Sequence, residues 1–156
     1  MKHTQIVKEL VKKYSKNKNV VGIYIFGSLA AGTATPKSDI DIEIIFEKSK
    51  KPYQLIKKEI AGIPVDLSLY RKSQFIKDFS KPYLHYSALN YKILYDPQGI
   101  LKKNLTKLKN YFKENPKILR FWRRKEEDWK KYKARGKTGK GESYFEIMKK
   151  LERKLK

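Results

Sequence analysis

Asp39 and Asp41 stand two residues apart in the run Asp39-Ile40-Asp41-Ile42-Glu43-Ile44, and Asp66 sits in a second apolar run, Val65-Asp66-Leu67. On a β-strand, residues i and i+2 project from the same face a few ångströms apart. Paired carboxylates so placed repel one another and are costly unless a cation joins them. With no cysteine in the chain and only two histidines, the donors are hard oxygens, which suit Mg²⁺ better than zinc. A third carboxylate from a neighbouring strand would let two metals share the set, the arrangement that clamps the attacking and leaving oxygens in phosphoryl transfer. Phe26-Gly27-Ser28 lies ten residues upstream, where bare backbone N–H groups and a hydroxyl could meet a triphosphate. The bland alternative makes Asp39 and Asp41 the wet face of an edge strand and Gly27-Ser28 a turn.

These residues need elements to hold them. Thr4 reads as the N-cap of a helix with Ile6, Val7, Leu10, Val11 and Tyr14 on one stripe, ended by Asn17–Asn19. Val20 to Phe26 reads as a buried strand stopped by Gly27-Ser28. The alternation from Asp39 to Phe46 predicts a second strand, with Asp39, Asp41 and Glu43 opposite the isoleucines. Pro52 to Ile60 reads as a short amphipathic helix, Ile63 to Tyr70 as a third strand, and Lys92 to Tyr95 as a short last one. Between them, Ser73 to Tyr91 is helical material interrupted at Pro82. Beyond the Asp96-Pro97-Gln98-Gly99 break the pattern is helical: Ile100 to Asn115, Pro116 to Ala134 and Glu142 to Lys156.

The run Gly27-Ser28-Leu29-Ala30-Ala31-Gly32-Thr33-Ala34-Thr35-Pro36-Lys37-Ser38-Asp39-Ile40-Asp41 resembles the signature of the DNA polymerase beta nucleotidyltransferase superfamily, in particular its minimal and kanamycin-nucleotidyltransferase-like members. The resemblance covers roughly residues 1–97. It implies an α/β (α+β) fold, a small mixed sheet flanked by helices, with residues 98–156 a basic helical extension. It further implies an enzyme of the EC 2.7.7 type that uses a nucleoside triphosphate, ATP being the expected one, and two Mg²⁺. Gly27 and Ser28 would hold the triphosphate, Asp39 and Asp41 would ligate metal, and Asp66 would be the third ligand or the base toward an acceptor hydroxyl. Where many minimal members carry a basic residue soon after Gly-Ser, this chain has Leu29-Ala30-Ala31, so Lys37 becomes a candidate for meeting the triphosphate charge. Some minimal members act as antitoxins on a HEPN-type RNase toxin, which makes a partner protein one candidate acceptor.

Composition narrows the rest. The chain has 156 residues, 40% of them hydrophobic, enough for a real core in one ordinary domain with a small appendage. Without cysteine, disulfide scaffolds and thiol nucleophiles are excluded. No run is long and apolar enough for a membrane span, and the N-terminus lacks a signal-peptide core, so the expectation is a soluble cytoplasmic protein without a membrane partner. Net charge is +22, unevenly spread: residues 1–100 carry +8 and residues 101–156 carry +14. Such a field suits RNA or tRNA, although lysine-rich surfaces also follow from coding bias. A cationic small molecule fits such a surface least. The charge and the possession of a nucleotidyltransferase signature leave one competitor to the enzyme, a non-catalytic module that binds nucleic acid or a toxin.

Weaker signals read plainly. Gly136-Lys137-Thr138-Gly139-Lys140-Gly141-Glu142-Ser143 has Glu142 where a phosphate loop needs lysine, and reads as a basic loop. His85, beside Tyr83 and Tyr86, reads as a satisfied half-buried histidine, and Glu43 as a solvated or supporting carboxylate. Trp122, Trp129 and Tyr132 share a helical face that suits a core, a partner-helix seam or a homodimer contact more than a base-stacking platform.

Overall fold

The computed structural model describes residues 1–134 and 144–155. In chain order the elements are α1 (Lys2–Ser15), β1 (Val20–Phe26), α2 (Gly27–Ala31), β2 (Ile40–Phe46), β3 (Tyr53–Ile60), β4 (Ile63–Arg71), α3 (Lys72–Asp78), two 3₁₀ turns (Pro82–Leu84 and Tyr86–Asn90), β5 (Lys92–Tyr95), α4 (Ile100–Glu114), α5 (Pro116–Ala134) and α6 (Tyr144–Leu155). The five strands form one mixed sheet in the order β3-β4-β2-β1-β5. Only the central β2–β4 pair is parallel; the other pairings are antiparallel. The chain is therefore an α+β protein with a small mixed sheet and helices at its C-terminal end.

Alternation sorts the strands' side chains onto two faces. One face carries Ile23, Ile25, Ile40, Ile42, Ile44, Val65 and Leu67, and α1 buries Ile6, Val7 and Leu10 against them. Burial of this many branched side chains, at about 1.5–3 kcal/mol each, is the main stabilising term. On the opposite face Tyr24 and Ile45 pack with Phe75, Tyr91 and Leu101. The same face of β2 and β4 carries Asp41, Glu43 and Asp66, so the carboxylates stand where this second, aromatic core leaves the sheet uncovered.

The chain divides into two compact units, Met1–Asn110 and Tyr111–Lys156. The first runs past the Asp96–Gly99 turn, because Asp96 caps α4: its carboxylate accepts from the backbone N–H groups of Leu101 and Lys102 at 3.1 and 2.9 Å. In the second unit Phe112, Ile118, Trp122 and Leu151 are buried. No helix of the described residues is long and apolar enough to cross a membrane.

Three expectations are corrected. Residues 53–60 form the edge strand β3 and not a helix. Ile56 and Ile60, four apart, share a face in either geometry; what decides is Ala61-Gly62, both at positive φ (50° and 81°), the turn that closes a tight hairpin with Ile60 opposite Ile63. The first helix begins at Lys2 with Met1 as N-cap, so Thr4 lies inside it. Residues 79–91 are not continuous helix; after α3 the backbone makes only the two 3₁₀ turns, the first opened by Pro82.

Candidate active site

Asp39 is the last residue before β2, Asp41 lies in β2, and Asp66 lies opposite Asp41 in the parallel β2–β4 register. Each offers a carboxylate oxygen, and these oxygens lie within 4.8 Å of one another. Asp39 is exposed, while Asp41 and Asp66 are half-buried, which leaves the cluster open to solvent on one side. Burial, then Asp39, then Asp66 push the Asp41 carboxyl up to about 6, and only Lys57 opposes them. This negative charge is under-compensated within the protein. All-oxygen donors of excess negative charge fit a hard divalent cation such as Mg²⁺ or Mn²⁺.

Gly27 explains how the cluster closes. It directly follows Phe26, which pairs with Asp41 across the β1–β2 ladder. Its φ of +67° is strained for any side-chain residue, and a Cβ there would collide with the Asp41 carboxylate. Glycine thus lets the α2 turn come up against the acid. Ser28 follows, half-buried in the first turn of α2. The loop returning to β2 is a tight turn: Ser38 N–H donates to Thr35 O at 3.0 Å, and Thr35 N–H to Ser38 Oγ at 2.8 Å. Lys37 is exposed at that turn, its N–H directed to Thr35 Oγ1. The turn is tied to α1 by His3, a buried residue whose Nε2–H donates to Ser38 O at 2.7 Å.

Two residues gain a place that the sequence reading did not give them. Lys57 of β3 pairs in register with Asp66, and its Nζ lies 4.0 Å from Asp66 Oδ2. It escaped notice because its segment reads as a helix; the Ala61-Gly62 hairpin signal would have aligned it. Glu43 accepts a hydrogen bond from the Tyr24 hydroxyl across the β1–β2 pair, and burial, with Asp41 and Asp78 adding to it, raises its carboxyl to about 7. It is thus a supporting carboxylate held in the aromatic core beneath Asp41, not a fourth member of the cluster.

Other sequence candidates fall elsewhere. His85 Nε2–H donates to Asp78 O at 2.7 Å and its ring stacks on Phe79, 4.2 Å between centroids, a satisfied half-buried histidine. Trp122 is buried while Trp129 is exposed, so the two do not share one environment. The Tyr132 side chain and the Gly136–Ser143 loop lie outside the described residues.

No protein of curated function matches the chain by sequence. A nucleotidyltransferase-like protein from Exiguobacterium sibiricum 255-15, known from a crystal structure at 1.90 Å resolution, is similar in fold, with a TM-score of 0.53 at 13% identity. The superposition covers 67% of this chain and 38% of that one, so the chain spans about two fifths of the length of that protein. Residues 3–95 match the nucleotidyltransferase domain, and they contain the Gly27-Ser28 turn and all three aspartates; the chain therefore belongs to the nucleotidyltransferase domain family, within the DNA polymerase beta superfamily.

Proposed function

We propose that this protein transfers a nucleoside monophosphate from a nucleoside triphosphate, ATP in the first instance, to a hydroxyl acceptor. The observation that carries the reading is the convergence of Asp39, Asp41 and Asp66 within 4.8 Å beside a glycine that only a bare Cα can occupy. Asp39, Asp41 and Asp66 would hold two Mg²⁺, which neutralise triphosphate charge and acidify the acceptor hydroxyl. Backbone N–H groups and the Ser28 hydroxyl at the Gly27-Ser28 turn would orient the triphosphate, with Lys37 the nearest cation along the return loop. Asp66, at the mouth of β4, would take the acceptor proton as the new O–Pα bond forms. The Pα–O bond to the β-phosphate breaks in line and pyrophosphate leaves. Positioning and charge neutralisation carry most of the acceleration in such transfers.

Residues 1–97 serve in this reading as the catalytic domain and 98–156 as the part that presents the acceptor. The net charge of +14 over residues 101–156 favours an RNA or tRNA end. A hydroxyl of a partner protein, in the manner of antitoxin-like nucleotidyltransferases, is the competing outcome.

The test is transfer of label from each α-³²P-nucleoside triphosphate with Mg²⁺. Bulk tRNA, a protein extract and the enzyme alone are offered as acceptors, and Asp39→Asn/Asp41→Asn is the control. Label on RNA that the control loses supports the reading in full. Label on protein keeps the transferase and replaces the acceptor. Absence of label on all three, together with no ATP- and Mg²⁺-dependent thermal shift, overturns it.

A further inference from the structure

The geometry points to a binding groove for a single strand of RNA between α5 and α6 in the second unit. The groove, about 810 Å³ in volume, is walled by Lys117, Arg120, Arg124 and Lys125 of α5 and by Lys150 and Lys154 of α6, against one carboxylate, Asp128. This names the surface that receives the RNA acceptor, and so it rests on the transferase reading for its purpose though not for its existence.

Spacing makes the groove more than a cationic surface. Lys117, Arg120 and Arg124 recur at three and four residues along α5, and Lys150 and Lys154 are four apart on α6, so each helix presents a row of cations with about 5–6 Å between neighbours. That interval is close to the step between successive phosphates of an extended strand. The floor between the rows is apolar, built on Ile118, Phe121 and Leu151. The Phe121 ring lies under a cation from each wall, Lys125 Nζ at 5.7 Å and Lys154 Nζ at 5.1 Å from its centroid. Cationic walls over an aromatic floor are what a single strand needs, with phosphates at the rim and bases on the ring.

Charge chooses among occupants. A second copy of this chain, at +22, would be repelled. A duplex turns its phosphates outward and its bases inward, so it cannot use an apolar floor. Two of the six cations are arginines, whose planar fork pairs with phosphate oxygens in two contacts at once.

The experiment is fluorescence anisotropy of a labelled single-stranded RNA of about 12 nucleotides, titrated with the full chain over a range of salt concentrations, in chelator and without nucleotide. The variants are Arg120→Ala/Arg124→Ala, Lys150→Ala/Lys154→Ala, and a control pair of equal charge and spacing on α1, Lys8→Ala/Lys12→Ala. Circular dichroism checks that each is folded. Each groove pair is expected to weaken binding at least tenfold, and to reduce the slope of log affinity against log salt by about 1.4, from about 0.7 for each phosphate contact removed. The control pair should change affinity less than twofold. Equal losses in groove and control pairs would overturn the groove in favour of the field of the whole chain. Competition by duplex RNA as strong as by single strand, or no binding at all, would overturn it as well. Because no nucleotide or metal is present, the groove and the transferase fail separately: RNA held without label transfer sinks the second, and transfer that survives loss of both groove pairs sinks the first.

Discussion

Asp41 and Asp66 lie opposite one another across the single parallel ladder of the sheet, β2 against β4, with Asp39 at the entrance to β2 completing the set. A parallel pairing puts equivalent residues of two strands side by side on one face, so two acids at the same register become neighbours without any loop having to bring them together. The crossover between these strands is the β3 hairpin, which contributes Lys57 to the same register. The site is therefore a property of sheet topology more than of loop conformation, and four charged groups follow from two strand pairings.

The first prediction concerns pH. The folded Asp41 carboxyl titrates at about 6 against 3.8 in a free chain, so the folded state binds its proton the more tightly. Between these values the folded protein holds more protons than the unfolded one, and stability falls as pH rises. Glu43, raised from 4.5 to about 7, acts in the same direction and extends the window. Without metal, the melting temperature should rise as pH is lowered from 7.5 to 5. With Mg²⁺ the sense reverses, since a ligand must be deprotonated: the metal-induced rise in Tm should be full above about pH 7 and collapse below about 6. Thermal melts with and without Mg²⁺ across this range read both arms. Asp41→Asn should raise metal-free stability at pH 7.5 and abolish the Mg²⁺ arm.

The second concerns Gly27. Substitution by alanine meets two penalties, a strained φ of +67° and a Cβ driven into the Asp41 carboxylate. Gly32, at φ +74° with nothing near a would-be Cβ, meets the first alone. Gly32→Ala should cost on the order of 1–3 kcal/mol of stability and keep the Mg²⁺-dependent shift. Gly27→Ala should cost more and lose that shift, with label transfer down at least a hundredfold. Equal behaviour of the two would mean that the Asp41 contact does not matter.

A third prediction isolates Lys57. It is the one group that lowers the Asp41 carboxyl, and its Nζ lies 4.0 Å from Asp66. As an exposed ion pair it adds little to stability, about 0–1 kcal/mol. Lys57→Ala should therefore leave the melting temperature nearly unchanged while moving the midpoint of the pH-dependent Mg²⁺ shift upward. Lys57→Glu should move it further. A melting temperature that drops by several degrees with an unmoved midpoint would make Lys57 structural only.

Much of this was legible in the residues. The strict alternation from Asp39 onward, the apolar run Val20–Phe26 and the Gly27-Ser28 stop are short-range signals that no tertiary contact overrides, and the aspartates fall where the alternation put them. The edge strand was not legible by periodicity. Ile56 and Ile60 stand four residues apart, an interval common to a helix turn and to twice the strand period, and an edge strand with one wet face has few other apolar residues to break the tie. Positive φ at Ala61 carries no sequence signal, since alanine is not a usual left-handed residue. Lys57 was lost with that segment. The role of Glu43 depends on Tyr24, a cross-strand partner that sequence spacing does not identify.

The last prediction concerns a long-range tie that the sequence concealed. His3 is buried in α1, and its Nε2–H donates to Ser38 O, 35 residues away, immediately before Asp39. With Nε2 protonated the ring is neutral when Nδ1 is bare, and Nδ1 is buried without a hydrogen-bond partner. The histidine thus serves one bond, which fixes the carbonyl from which the chain turns into the metal-ligand strand. His3→Leu removes the donor, leaves a buried carbonyl unsatisfied and should cost about 1–3 kcal/mol. If the bond also positions Asp39, the Mg²⁺ concentration needed for half of the maximal thermal shift should rise severalfold, although His3 touches no ligand of the site. His3→Gln, whose Nε2 can reach toward the same carbonyl, should restore the Mg²⁺ requirement more than the stability. Loss of stability with an unchanged Mg²⁺ requirement in His3→Leu would confine His3 to holding α1 on the sheet.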